Sequence, residues 1–386
     1  MMAESSGAAL RSPEALIDVV AAYSDFGNHH TASEADESTA QWLTRLLEGL
    51  GAVVERRPFT FDRFHVSTEL RTTVDSEGGR GTAGDLVPSV PLFYSAVGSF
   101  ETSDFEVVAL DRRVVGSPRR VEHELVAAPG QGAVVFATDG PPDLPVQCNR
   151  APVVSGVRPA VVIADNWADR VQAGAKLRFD ASVAPATGAN LVATVGPADA
   201  PKVTIATPLS GWTPCAGERG TGLAVALALT ADLAQDHHVS FVAASGHELD
   251  HIGLQDHLSQ IDANGDTVIH LGASVGSVQW SPEGTATLDR RRMVLTTASS
   301  AKLRTQIGSL VAEANWTLTD LDPWPGEGGN WRRAGASVLS FLGSSELFHT
   351  MGDVTARATT PEAMVLACDT AIAVTRVFLG GGKPKR

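Results

Sequence analysis

The chain has 386 residues, of which 19% are charged and 43% apolar, enough for a substantial core and for more than one domain. Its formal charge of −14 disfavours nucleic acid and anionic membranes as partners, because phosphate binding needs a clustered basic face, and the one basic cluster, Arg290 to Arg292, is too short to supply it. No apolar run approaches the roughly 20 residues of a membrane-spanning helix. Met1 to Leu10 lacks the basic and apolar regions of a secretory signal, so a cytoplasmic protein is expected. Cys148, Cys215 and Cys368 are widely spaced, with no CxxC, which argues against a disulfide framework or a cysteine zinc site. The Gly-rich basic ending reads as a frayed tail.

In chain order, Ser12 to Phe26 and Asp36 to Gly51 carry helical patterns, the second with Trp42, Leu43, Leu46, Leu47 and Leu50 on one face. Alternating, strand-like sequence follows from Val53 to Leu70. From about Asp75 to Pro185 short β-branched runs bounded by Gly and Pro predict a β-rich insert. Strands are then expected at Val203–Ala206, Val239–Ala244, Val268–Leu271, Val294–Thr297 and Ser337–Leu342. Helices are expected at Gly222–Gln235, Ser299–Asn315 and Pro361–Phe378. Such alternation predicts an α/β fold, a mostly parallel or mixed central sheet with helices on both faces. Sites in such sheets lie beyond the carboxyl ends of the strands.

The residues with chemical potential fall at those ends. After the first of these strands comes Thr207-Pro208-Leu209-Ser210, then Ala216-Gly217-Glu218-Arg219-Gly220-Thr221-Gly222. Ser245-Gly246-His247-Glu248-Leu249-Asp250-His251 follows the next strand, and Glu346-Leu347-Phe348-His349-Thr350-Met351-Gly352-Asp353 lies far downstream. In this order the segments resemble the zinc aminopeptidases with two neighbouring metals, the family that includes glutaminyl cyclase. The insert, through Gly132–Phe136 and Val157–Ile163, resembles a protease-associated domain. The resemblance implies a zinc-exopeptidase-like fold with the catalytic domain split over 1–75 and 186–386 and the insert at 76–185.

The departures from the family pattern matter as much. Its His-x-Asp falls on Thr207 and Leu209, and a further Asp falls near Gly272 or Ala273, none of which binds metal. The bridging carboxylate falls on Glu218, the Glu-Glu pair on His247 and Glu248, and the C-terminal histidine on His349. The resemblance therefore implies one divalent transition metal, zinc or manganese, held by Glu218, Glu248 and His349, with His247 as general base and His251 as a weaker candidate. It is similar in this respect to nitroanthranilate aminohydrolase, a divergent member acting on an aromatic amine. Trp331, Arg332 and Arg333 lie where that family lines its substrate pocket, a tryptophan suited to stacking and an arginine to gripping a carboxylate.

A competing reading takes His247-Glu248-Leu249-Asp250-His251 as the HExxH motif, with His257 as a third histidine. That motif needs one helix carrying both histidines on a face, yet a strand and Gly246 directly precede it. Bland readings also stand. Glu218 can simply favour the start of the next helix, and the pairs His29-His30 and His237-His238 read as solvated surface. The function expected is hydrolysis of a C–N bond in a small aromatic amine, with release of ammonia or amine. A one-metal aminopeptidase and a catalytically inactive binding protein are the alternatives. The partner expected is a small-molecule substrate, with assembly into a homo-oligomer left open.

Overall fold

The computed structural model describes residues 9–73, 84–156, 158–281, 283–288 and 292–380. The start of the chain through residue 8, the domain border at 75 and 76, Val157, Arg290, Arg291 and the tail from 381 lie outside the described residues.

Two helices open the chain, α1 (Pro13–Asp25) and α2 (Glu34–Gly49). Each begins where a serine hydroxyl accepts from a first-turn amide, Ser12 from Ala15 and Ser33 from Asp36. Leu43 and Leu47 of α2 are buried, and Trp42, Leu46 and Leu50 pack against the same core.

The chain continues through β1 (Val53–Thr72), β2 (Ser89–Pro91), β3 (Gly98–Thr102), β4 (Phe105–Leu110), α3 (Pro118–Ala127), β5 (Ala133–Thr138), β6 (Ala160–Ala164), α4 (Ala168–Ala173) and β7 (Ala175–Val195). β1 and β7 pair antiparallel from Val53↔Thr194 to Thr72↔Ala175, so the chain leaves and returns along one long ribbon. Between them lies a separate four-stranded sheet, in the order β2-β6-β5-β4. Alternate residues of β5 face two cores: Val135 packs with Leu177 and Phe179 of the ribbon, while Val134 and Phe136 pack on Val121 and Leu125 of α3.

The remaining elements are β8 (Lys202–Pro208), α5 (Thr221–Leu233), β9 (His238–Ala244), α6 (Ile252–Ser259), β10 (Thr267–Leu271), β11 (Val278–Trp280), β12 (Ala286–Leu288), β13 (Met293–Thr296), α7 (Ala301–Glu313), β14 (Thr317–Leu318), α8 (Gly328–Arg333), β15 (Ser337–Leu342), α9 (Thr355–Ala358) and α10 (Pro361–Phe378). Among the described residues the main sheet has nine strands, in the order β1-β7-β9-β8-β10-β15-β13-β14, with β3 beside β7. Its centre, β9-β8-β10-β15, is parallel, and antiparallel pairs flank it at β7/β9 and β13/β15.

The two-residue period of the strands divides their side chains between two helical layers. Val239, Phe241 and Ala243 of β9 pack with α1, α2, α5, α7 and α10, while Val242 and Ala244 pack oppositely with Leu254 of α6 and Trp331 of α8. The result is a large mixed sheet with helices on both faces. Because the central strands are parallel, the residues following β8, β9, β10 and β15 gather at one edge.

Among the described residues no helix is long and apolar enough to cross a membrane. Arg292 is buried and donates to the Ser277 carbonyl at 2.8 Å, so it adds nothing to a basic surface. His29, expected at the surface, is buried as well; it stacks on Tyr23 with ring centroids 3.9 Å apart and bonds to the Thr39 hydroxyl.

Candidate active site

The loop after β8 leads into a wide helical turn at Ala216–Gly220, in which the Arg219 and Gly220 amides both bond to the Cys215 carbonyl. Such widened turns recur at functional sites. The turn is fixed from the far end of the chain: Asp353 accepts the Gly217 amide at 2.8 Å and the Glu218 amide at 2.9 Å. Burial pushes the Asp353 carboxyl up to about 7. Four non-glycine residues around this region, Cys215, Asp250, His251 and His349, hold φ between 49° and 63°. Left-handed backbone of this kind is costly for such residues and concentrates at functional sites.

Glu218 and His349 meet, as expected from sequence, with Oε1 and Nε2 3.1 Å apart. His349 Nδ1 lies 2.8 Å from the Gln147 carbonyl, which can only accept, so Nδ1 carries hydrogen. A third group shares the oxygen: Arg219 Nη2 lies 2.7 Å from Glu218 Oε1. Burial alone would raise the Glu218 carboxyl, but Arg219 and His349 outweigh it and hold it down at about 2.

Glu218 and His349 face each other, but among the described residues Glu248 does not group with them as a third ligand. Both oxygens of Glu248 are committed elsewhere: Oε1 accepts the Thr31 amide at 2.8 Å and hydroxyl at 2.6 Å, and Oε2 accepts the Ser210 hydroxyl at 2.6 Å. Among the described residues no three His, Cys, Asp or Glu side chains are grouped to hold a metal ion. A divalent ion on Glu218 would also stand beside the Arg219 guanidinium in a dry interior, where like charges repel strongly. The residues present therefore do not fit a bound metal. The neighbouring positions agree. Leu209 is core, and a Cβ on Gly272 would lie 2.9 Å from His270 Cε1.

His247 and Glu248 occupy one tight turn, His247–Leu249, after Gly246 at φ 80°. Asp250 and His251 follow in left-handed backbone, so the two histidines do not share a helix face and the HExxH reading fails on geometry. The imidazoles still lie together, with centroids 4.6 Å apart. His257 is elsewhere, edge-on to Trp331. His247 Nδ1 is 2.9 Å from Glu327 Oε1, and His251 Nδ1 is 3.2 Å from Asn330 Oδ1. Burial drives His247 well below its ordinary range and His251 to about 4, while it raises Glu327 to about 8. Near neutral pH the His247–Glu327 pair thus carries a carboxyl proton beside an uncharged imidazole.

A cavity of about 700 Å³ opens at His251, its wall also formed by Arg119, Asp250, Trp324, Asn330 and Arg333, with His247 and Glu327 outside its lining. Arg333 bonds to Asn330 Oδ1 at 2.9 Å. Trp331, expected to cover a substrate, is instead 1% exposed and part of the core behind the site. Its neighbours in α8 turn outward, so Arg332 pairs with Asp322 and lines a different hollow. Trp324 supplies the aromatic wall that Trp331 does not.

The insert closes the site from above. Gln147 N–H donates to the His349 carbonyl at 2.8 Å, Arg150 N–H to the Glu248 carbonyl at 3.0 Å, and Trp212 Nε1 to Asn149 Oδ1 at 2.8 Å. Sequence reading missed three residues here. Glu327 sits in the Gly-rich run before β15, where a lone carboxylate was the available signal. Arg219 stands next to Glu218, and Thr31 is brought to Glu248 from 217 positions away with no local signal.

No protein-family model matches the chain, and no curated protein matches it. Solved structures do. The chain is similar to a peptidase M28 precursor from Shewanella amazonensis at 14% identity, covering 100% of this chain and 97% of that one, with a TM-score of 0.72. The zinc aminopeptidase BSAP from Bacillus subtilis matches at 14% identity, with 97% and 96% covered and a TM-score of 0.69. An aminopeptidase from Aneurinibacillus sp. strain AM-1 matches at 14%, with 97% and 95% covered and a TM-score of 0.61. At this identity the likeness is one of architecture: the chain has the zinc aminopeptidase-like fold.

Proposed function

We propose that the chain is a hydrolase that cleaves a C–N bond of a small molecule, with His247 and Glu327 moving protons behind His251. The observation that supports this reading is the 2.9 Å contact between His247 Nδ1 and Glu327 at the carboxyl end of a parallel strand. With Glu327 ionised, Nδ1–H donates to it and the Nε2 lone pair takes a proton from an attacking water. The hydroxide so formed bonds to the carbon that carries nitrogen. The protonated imidazole then returns the proton to that nitrogen, which leaves as amine or ammonia. Water's two parts thus end on carbon and on nitrogen.

In this reading Arg333, which lines the cavity with Asn330, holds a carboxylate of the substrate, and Trp324 offers an aromatic wall. An electron-poor ring bearing a carboxylate beside its amine suits this site, because the ring's own substituent takes the charge that develops. Nitroanthranilate is such a compound. A second reading, a metal-dependent aminopeptidase, is supported by the scaffold it shares with zinc aminopeptidases.

Purified protein assayed against 5-nitroanthranilate and leucine anilide, with and without added zinc or manganese, separates the two. Ring deamination without added metal supports the proposal. Anilide cleavage that appears only with metal returns the chain to the aminopeptidases. Turnover of neither, with an aromatic acid bound in the cavity, favours an inactive binding protein.

A further inference from the structure

Arg219 follows Glu218 directly, and the two side chains are 0% and 1% exposed. The guanidinium is held on several sides. Nη2 faces Glu218 Oε1 at 2.7 Å, Nε donates to the Ser210 carbonyl at 3.0 Å, and Nη1 donates to the Glu218 carbonyl at 3.4 Å. Glu218 Oε1, the atom that an ion bridging Glu218 and His349 would need, is therefore already in contact with a permanent cation. Ser210 links the two halves of the arrangement, since its carbonyl takes Arg219 and its hydroxyl serves Glu248. The carboxylate that would complete a metal site is thus engaged through the same residue that anchors the arginine.

We propose that Arg219 is the resident cation of this site: its guanidinium balances Glu218 where a metal would otherwise stand, and the native chain takes no divalent ion at Glu218 and His349. This goes beyond the proposed hydrolysis and holds whatever the substrate is. Arg219→Gln removes the charge while keeping a polar chain. It leaves Glu218 and His349 facing each other without the guanidinium between them and a cation.

The test reads binding rather than turnover. Zinc and cobalt are titrated into the native chain and into Arg219→Gln, followed by calorimetry, melting temperature and the visible spectrum of cobalt. The native chain is expected to show no saturable binding and no shift in melting temperature. Arg219→Gln is expected to bind about one equivalent, with a cobalt spectrum that a second change, His349→Gln, abolishes. One equivalent bound by the native chain and lost in His349→Gln overturns the proposal, and this arm needs no Arg219 variant to fold. A folded Arg219→Gln that binds no more metal than the native chain overturns the assignment of Arg219 as the excluding group.

Discussion

Arg219 Nη2 stands 2.7 Å from Glu218 Oε1, with both side chains sealed from solvent. Removing one partner of such a pair strands the other charge, at a cost of about 3–5 kcal/mol. Arg219→Met should destabilise the chain by that amount in chemical denaturation. Adding Glu218→Gln should recover part of the loss, because neither charge is then left unpaired. A double variant whose loss equals the sum of the single losses would show that the pair is not coupled.

His247→Ala should lower turnover by roughly 10²–10⁴-fold, the usual worth of a general base, and should also lower the melting temperature, because it strips buried Glu327 of its partner. His251→Ala, further toward the cavity, should cost less. Steady-state kinetics beside thermal melts check both. A His247→Ala enzyme of native rate would remove His247 from the chemistry.

Glu327 sets a pH dependence of its own. Its folded carboxyl is raised to about 8 from an ordinary 4.5. Base catalysis by His247, which needs Glu327 ionised, should therefore rise as pH passes through about 8. Stability runs the other way. A carboxyl raised on folding contributes stability that is full below its unfolded value and lost as pH climbs through its folded one. Asp36 and Asp353, each raised to about 7 by burial, add in the same direction. Below about 6.5 the buried histidines, all held below their ordinary range, act in the opposite sense. It is therefore between about pH 7 and pH 9 that melting temperatures should fall, and fall less in Glu327→Gln. An unchanged pH slope in that variant would count against the buried carboxyl as its source.

Three consecutive residues should part company. Trp331→Ala, which empties a core position, should cost about 3–5 kcal/mol. Arg332→Ala, which loses an exposed pair with Asp322 and a contact over the Trp324 ring, should cost no more than about 1 kcal/mol. Arg333→Ala should leave stability alone and raise KM for a carboxylate-bearing substrate. Denaturation curves and KM values together decide it, and a Trp331→Ala chain of native stability would put that ring outside the core.

The architecture was legible because its signals are local and periodic. The closing helix spans Pro361–Phe378, the bounds its sequence suggests, and the expected strands at Val239–Ala244 and Ser337–Leu342 appear within a residue of their limits. The meeting of Glu218 and His349 was also legible, from the order of the segments. What escaped was the occupancy of each polar atom. Nothing near Glu248 in sequence announces Thr31 and Ser210 as its donors, and nothing in the pattern of α8 tells which side its tryptophan takes. Three-dimensional bonding decides whether a carboxylate is free to act, and that information is spread over distant parts of the chain.

The glycine at 272 limits which side chains this site accepts. An added Cβ there would meet His270 Cε1 at 2.9 Å, Leu342 Cβ at 3.3 Å and the Phe341 carbonyl at 3.3 Å. An acidic side chain would fit at this position only together with changes in the residues that crowd it. Leu209, likewise, is now embedded among core side chains. Packing thus locks both positions: a carboxylate at either one needs simultaneous changes in the side chains around it, so no single substitution supplies it.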